Sequence, residues 1–123
     1  MQLTHGIKML FGTRDIHLVL GYTDMRKNID TLSIRLASIK DINIFDGSMF
    51  VFCNRRQTII KVLYYDRNGF CLFQKRLDKI HFDWPKKIQE TQCIRDRELR
   101  WLLDGLILAD IDTSGEGEYT ATA

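Results

Sequence analysis

Five cations are the side chains of this sequence best placed to do chemistry: Arg55, Arg56, Lys61, Lys75 and Arg76. They are threaded through runs rich in aromatic and β-branched residues. The first is Phe50-Val51-Phe52-Cys53-Asn54-Arg55-Arg56-Gln57, and the second is Ile59-Ile60-Lys61-Val62-Leu63-Tyr64-Tyr65-Asp66. The third is Asn68-Gly69-Phe70-Cys71-Leu72-Phe73 with Lys75-Arg76-Leu77 behind it, and Trp84-Pro85 closes the region. A cation beside an accessible aromatic ring can hold a phosphate while the ring stacks a base, which is how many sheets bind single-stranded nucleic acid. Phe50, Phe52 and Tyr65 beside Lys61 and Arg76 have the types that this use needs. The alternative is that a C-terminal helix covers these rings as a second core, with the cations ringing its edge. Arg55 and Arg56 fall in a turn, and a loop tip carrying two guanidinium groups is well shaped for phosphate contacts. Arg26-Lys27 and Lys86-Lys87 read most simply as solvated surface.

Catalytic chemistry has little footing. The sixteen acidic residues are scattered over turns and helix ends, whereas acid–base or metal-assisted hydrolysis needs carboxylates gathered around one pocket. Asp66 sits beside a hairpin and reads as a turn residue. No serine lies in a nucleophile elbow, and Gly47 and Gly69 are isolated turn glycines rather than parts of a phosphate loop. Cys53, Cys71 and Cys93 contain no CxxC pair, and His5, His17 and His81 do not cluster with them. They read as free thiols of a reducing compartment. No enzyme, metal site or cofactor is expected.

These side chains must be positioned by a single domain. The chain has 123 residues, 45% hydrophobic and 28% charged, with a net charge of +2. Such a mild balance does not by itself mark a nucleic-acid binder, so any such case rests on local clustering. No apolar run approaches the ~20 residues that span a bilayer, and no secretion signal is evident at Met1-Gln2-Leu3-Thr4, so a cytoplasmic protein is expected. A short strand is expected over residues 16–20, paired with an earlier one near residues 7–11. Thr23 and Asp24 offer an N-cap for a helix over residues 25–39, whose Met25, Ile29, Leu32, Leu36 and Ile39 draw one apolar stripe. Asp46-Gly47 marks a turn.

The central region reads as an antiparallel meander. Asn68-Gly69 is a strong hairpin signal, and if those two residues form the loop, Tyr65 faces Leu72 and Lys61 faces Arg76. That juxtaposition of like charges would cost stability unless Asp78 or a bound anion lay between them. A four-residue first turn would put Phe52 opposite Ile59. Alternation then places Met49, Val51, Cys53, Ile60, Val62, Tyr64, Cys71, Phe73 and Leu77 on one face, a core. Phe50, Phe52, Ile59, Leu63, Tyr65 and Leu72 fall on the other. Asp96 is expected to cap a second helix with Leu99, Leu102, Leu103 and Leu106 on one side. The expected fold is α+β, an antiparallel β-meander of three to five strands with one helix before it and one after it. Residues 1–109 form the domain, and residues 110–123 a flexible tail.

Several blocks carry a family resemblance. They are Asp24-Met25-Arg26-Lys27 with Asp30, residues 50–56, Ile60-Lys61, Asp66, Gly69-Phe70-Cys71-Leu72, Lys75-Arg76-Leu77, Phe82-Asp83-Trp84-Pro85, and Glu98-Leu99 with Trp101-Leu102-Leu103-Asp104-Gly105-Leu106. Together, from about Ile16 to Leu106, the chain resembles the small accessory protein (TnpB type) encoded by the second reading frame of bacterial insertion sequences of family sixty-six. It departs at Thr31 and Ile80, where the family tends to have glycine nearby. The resemblance implies a non-catalytic role in transposition beside a separately encoded transposase, and makes that transposase, and element DNA, the expected partners. Arg55, Arg56, Lys61, Lys75 and Arg76 become the expected DNA or partner contacts. Asp24, Arg26, Lys27, Asp30, Trp84 and Pro85 are carried over as family-motif residues. The alternatives are a pure protein–protein adaptor with no nucleic-acid contact and, less favoured, a small nuclease that a metal-dependent cleavage assay on element ends would reveal.

Overall fold

A computed structural model describes residues 14–105. Its elements are β1 (Ile16–Val19), α1 (Ile29–Ala37), β2 (Met49–Cys53), β3 (Ile59–Asp66), β4 (Gly69–Arg76), β5 (Thr91–Ile94) and α2 (Asp96–Leu103). The strand expected near residues 7–11, Leu106, the boundary at 109 and the tail 110–123 lie outside the described residues.

The five strands form one sheet in the order β4-β3-β2-β1-β5. Burial follows that order. Central β2 has no polar side chain and is buried at every position, while edge strands β4 and β5 are only partly covered. A strand packed on both faces reads as a continuous apolar run, and Met-Phe-Val-Phe-Cys is such a run. The sheet is mixed, not purely antiparallel as expected. β1 runs parallel to β2, with Ile16 beside Met49, and antiparallel to β5, with Ile16 beside Ile94. A parallel pair needs a crossover to bring the chain back to its starting edge. The α1 helix lies in that crossover, so it interrupts the sheet in sequence instead of preceding it.

β2, β3 and β4 do form an antiparallel meander, but each register differs from expectation by two positions. Tyr65 faces Phe70, and Lys61 faces Gln74 on one side and Phe52 on the other. The second hairpin therefore turns at Arg67-Asn68, where Arg67 takes the positive φ of 52° and Gly69 already pairs with Asp66. Arg76 faces Ile59, so the expected clash between Lys61 and Arg76 does not exist. A slip of two residues preserves the parity of the pleat, and the two faces are composed as expected.

The first face, with Met49, Val51, Cys53, Ile60, Val62 and Tyr64, packs against Leu99, Leu102 and Leu103 of α2 and against Phe82 and Trp84. The second, with Val19, Phe50, Phe52 and Leu63, packs against Leu32 and Leu36 of α1. The sheet aromatics are thus sealed by the first helix, not the second. Phe50 is 2% and Phe52 0% exposed, so neither can stack a base. Tyr65 packs edge-on to Phe45 and Phe70.

Both helix starts differ from expectation. The α1 N-cap is Asn28, whose Oδ1 accepts from the Thr31 N–H at 3.0 Å and from the Thr31 hydroxyl at 3.0 Å. Thr23 and Asp24 stay outside because the carbonyls of Met25 and Lys27 accept from the Lys61 ammonium at 2.8 and 3.1 Å. For α2 the N-cap position is Arg95, whose N–H donates to Glu98 Oε1 at 2.8 Å, and Asp96 is the first helical residue.

Candidate nucleic-acid interface

In a parallel pair the carboxyl ends of both strands point the same way, and β1 and β2 release their chains side by side. β1 continues into Gly21-Tyr22-Thr23-Asp24, and β2 continues into Asn54-Arg55-Arg56-Gln57. The Thr23 N–H donates to Cys53 O at 2.8 Å, which extends the association past the strand ends. Between the two segments lies a groove of about 510 Å³ whose lining includes Tyr22, Asp24, Arg26, Asn54, Arg55 and Arg56.

Each wall of the groove is held from behind. Asn54 Oδ1 accepts from the N–H groups of Thr58 and Ile59, both at 2.9 Å, and Gln57 closes the turn with a φ of 60°. Gln57 O accepts from the Phe82 N–H at 2.7 Å, and its side-chain amide donates to Phe82 O at 2.9 Å. The Arg56 carbonyl lies 2.7 Å from His81 Nδ1. On the opposite wall, the Trp84 indole N–H donates to Gly21 O at 3.2 Å. The hydroxyl of buried Thr23 accepts from Arg35 of α1. Three blocks far apart in sequence, around residues 21–30, 53–57 and 81–84, thereby converge on one end of the sheet.

Within the groove Asp24 and Arg26 form a two-pronged ion pair, with Arg26 Nη2 to Asp24 Oδ2 at 2.7 Å and Nε to Oδ1 at 3.0 Å. The guanidinium beside it holds the Asp24 carboxyl well below the usual carboxylate range, and the carboxylate raises Arg26 in turn. Arg26 nonetheless reaches into solvent, its side chain 92% exposed. The Arg55 guanidinium stands 5.7 Å from the centroid of the Tyr22 ring, and Tyr22 is 47% exposed. Arg55, Arg56 and Arg76 are exposed, and among the described residues their guanidinium groups form no ion pair.

The expected cation cluster is therefore divided. Arg55 and Arg56 share the groove with Asp24 and Arg26. Lys61 is 8% exposed and ties the segment before α1 to the sheet. It borders a second hollow, of about 470 Å³, together with Arg26, Lys27 and Asp30. Lys75 donates to Leu103 O at 2.8 Å and so anchors the end of α2 on the other face. Arg76 ends edge strand β4. Of the remaining motif residues, Trp84 is buried and Pro85 half-buried. Asp30 lies in the first turn of α1, where a carboxylate meets the positive end of the helix. Tyr22 and Asn54 line the groove as well, and sequence patterning did not single them out. Asn54 was legible only as part of a turn, and Tyr22 belongs to no periodic pattern.

Fold and site together define a small α+β domain with a helix on each face of a mixed sheet and an arginine-bearing groove at the carboxyl ends of its parallel strands. The family model of IS66 Orf2 like proteins matches residues 14–113. The chain is also 36% identical over 91 residues to the uncharacterized protein y4hO of Sinorhizobium fredii, covering 74% of this chain and 79% of that protein. This chain belongs to the IS66 Orf2-like family, the accessory proteins of insertion sequences. No solved structure matches it. No helix among the described residues is long and apolar enough to cross a membrane.

Proposed function

We propose that this protein is a non-catalytic accessory factor that supports DNA transposition in the cytoplasm by binding element DNA, alone or together with the transposase of the same element. Arg55 and Arg56 are the principal phosphate contacts, and Arg26 and Arg76 add positive charge around them. The observation that carries the reading is the state of Arg55 and Arg56. Both are exposed and, among the described residues, form no ion pair, and both stand on a turn immobilised by Asn54, Gln57 and Phe82. Because the backbone of the turn is already fixed, only the arginine side chains remain to be ordered when they meet a phosphate. Lys61 and Lys75 have positioning roles, because each already donates to main-chain carbonyls of a flanking segment.

Titration of labelled element-end DNA at several salt concentrations tests the reading. Wild-type affinity falls with salt because phosphate contacts release counterions, and each lost contact flattens the log–log slope by about 0.9. The Arg55→Ala/Arg56→Ala protein is expected to bind more weakly with a slope shallower by about 2. Equal affinity and slope for the two proteins would remove the assignment. Salt-independent capture of the transposase without DNA affinity would instead establish the adaptor alternative.

A further inference from the structure

We infer that the groove between residues 22–26 and 54–56 accommodates an unpaired nucleotide, so that the nucleic acid recognised is single-stranded or locally opened DNA and Tyr22 is its stacking platform. This inference rests on the proposed function and names the substrate class of that same site. Four observations converge on it. The groove, an open cleft of about 510 Å³, has the volume, ~300–1,000 Å³, of clefts that take one small molecule. A duplex shows its bases only edge-on inside its own grooves, so its rings could not enter such a hollow.

Tyr22 is the second observation. The strand aromatics Phe50, Phe52 and Tyr64 are buried, whereas this ring is 47% exposed within a cationic groove, with the Arg55 guanidinium 5.7 Å from its centroid. A half-exposed ring beside a guanidinium offers two flat surfaces to a base and a positive charge to its phosphate. The third is the Asp24–Arg26 pair. A carboxylate held ionised in the groove opposes a bare phosphate, yet it can accept from the amino or imino edge of a base, and Arg26 Nη1 can donate beside it. The fourth is continuity. Arg26 lines both this groove and the second hollow near Lys27 and Lys61, so a strand leaving the first passes Arg26 to reach the next cations. The location also agrees with the tendency of ligands in sheets with parallel strands to bind beyond the carboxyl ends of those strands.

Fluorescence anisotropy with the full chain tests this, using a labelled oligothymidylate and a labelled duplex of equal length. The single strand is expected to bind more tightly than the duplex. Tyr22→Ala is expected to weaken single-strand binding at least about fivefold, the lower bound for losing one base–aromatic stack, and to weaken duplex binding by clearly less. Tyr22→Phe keeps the ring and is expected to restore wild-type affinity, which separates stacking from a folding defect. Duplex binding that depends on Arg55 and Arg56 while Tyr22→Ala has no selective effect would overturn the nucleotide inference and leave the proposed function standing. If wild type binds neither probe but binds element-end DNA, the nucleotide inference falls and the proposed function stands; if it binds no DNA with or without the transposase, both fall.

Discussion

At the scale of single residues, the structure distinguishes side chains that are committed from those that are available. Cys53 is committed: it lies fully buried in central β2, and burial pushes its thiol up to about 12. In the unfolded chain that thiol ionises near its ordinary value of 9.0. Its folded value is the higher, so its contribution to stability is complete below about pH 9 and drains away as pH rises towards 12. Urea midpoints measured across that window are expected to fall for wild type and to fall less for Cys53→Ala. Thiol alkylation of the native protein gives a second readout. Exposed Cys93 is expected to react first and Cys53 only on unfolding. Lys61 is committed in another way, since two of its three ammonium protons are bound to carbonyls of the motif segment. Arg55 and Arg56 are available.

At the scale of elements, α1 decides what the second face of the sheet can do. Leu36 is fully buried against that face, whereas Ile34, two residues earlier, is 70% exposed. Leu36→Ala is expected to cost about 2–5 kcal/mol by chemical denaturation, and Ile34→Ala to stay within about 0.5 kcal/mol. The reverse order would place α1 wrongly on the sheet. The apolar stripe through Leu32 and Leu36 was readable because a period near 3.6 is a local property of the chain. The two sheet faces were readable for a similar reason, as period-two alternation survives a register shift of two. The registers were not, because the β3–β4 turn is set by a positive φ at Arg67, which carries no glycine signal. The parallel pairing of β1 with β2 was not readable either, since the two are joined by a long crossover and neither encodes its neighbour. That omission hid the groove. Arg55 and Arg56 were recognisable as turn cations from their types alone, but Tyr22 acquires meaning only when the ends of β1 and β2 lie together.

For the molecule as a whole, burial is graded outward from β2, and local stability should follow. Native-state amide exchange is expected to be slowest in β2 and the inner half of β3, and fastest in β5 and the outer edge of β4. Uniform protection across the sheet would contradict that gradient. The strand order has one more consequence, which concerns synthesis. β1 is the first described strand to be made, yet its two neighbours are β2, some thirty residues later, and β5, more than seventy later. During translation the meander of β2, β3 and β4 can assemble from contacts close in sequence, but the far border of β1 stays bare until residues 91–94 have left the ribosome. A chain arrested before that point carries an open, apolar strand margin of the kind that chaperones seize and that neighbouring nascent copies adhere to.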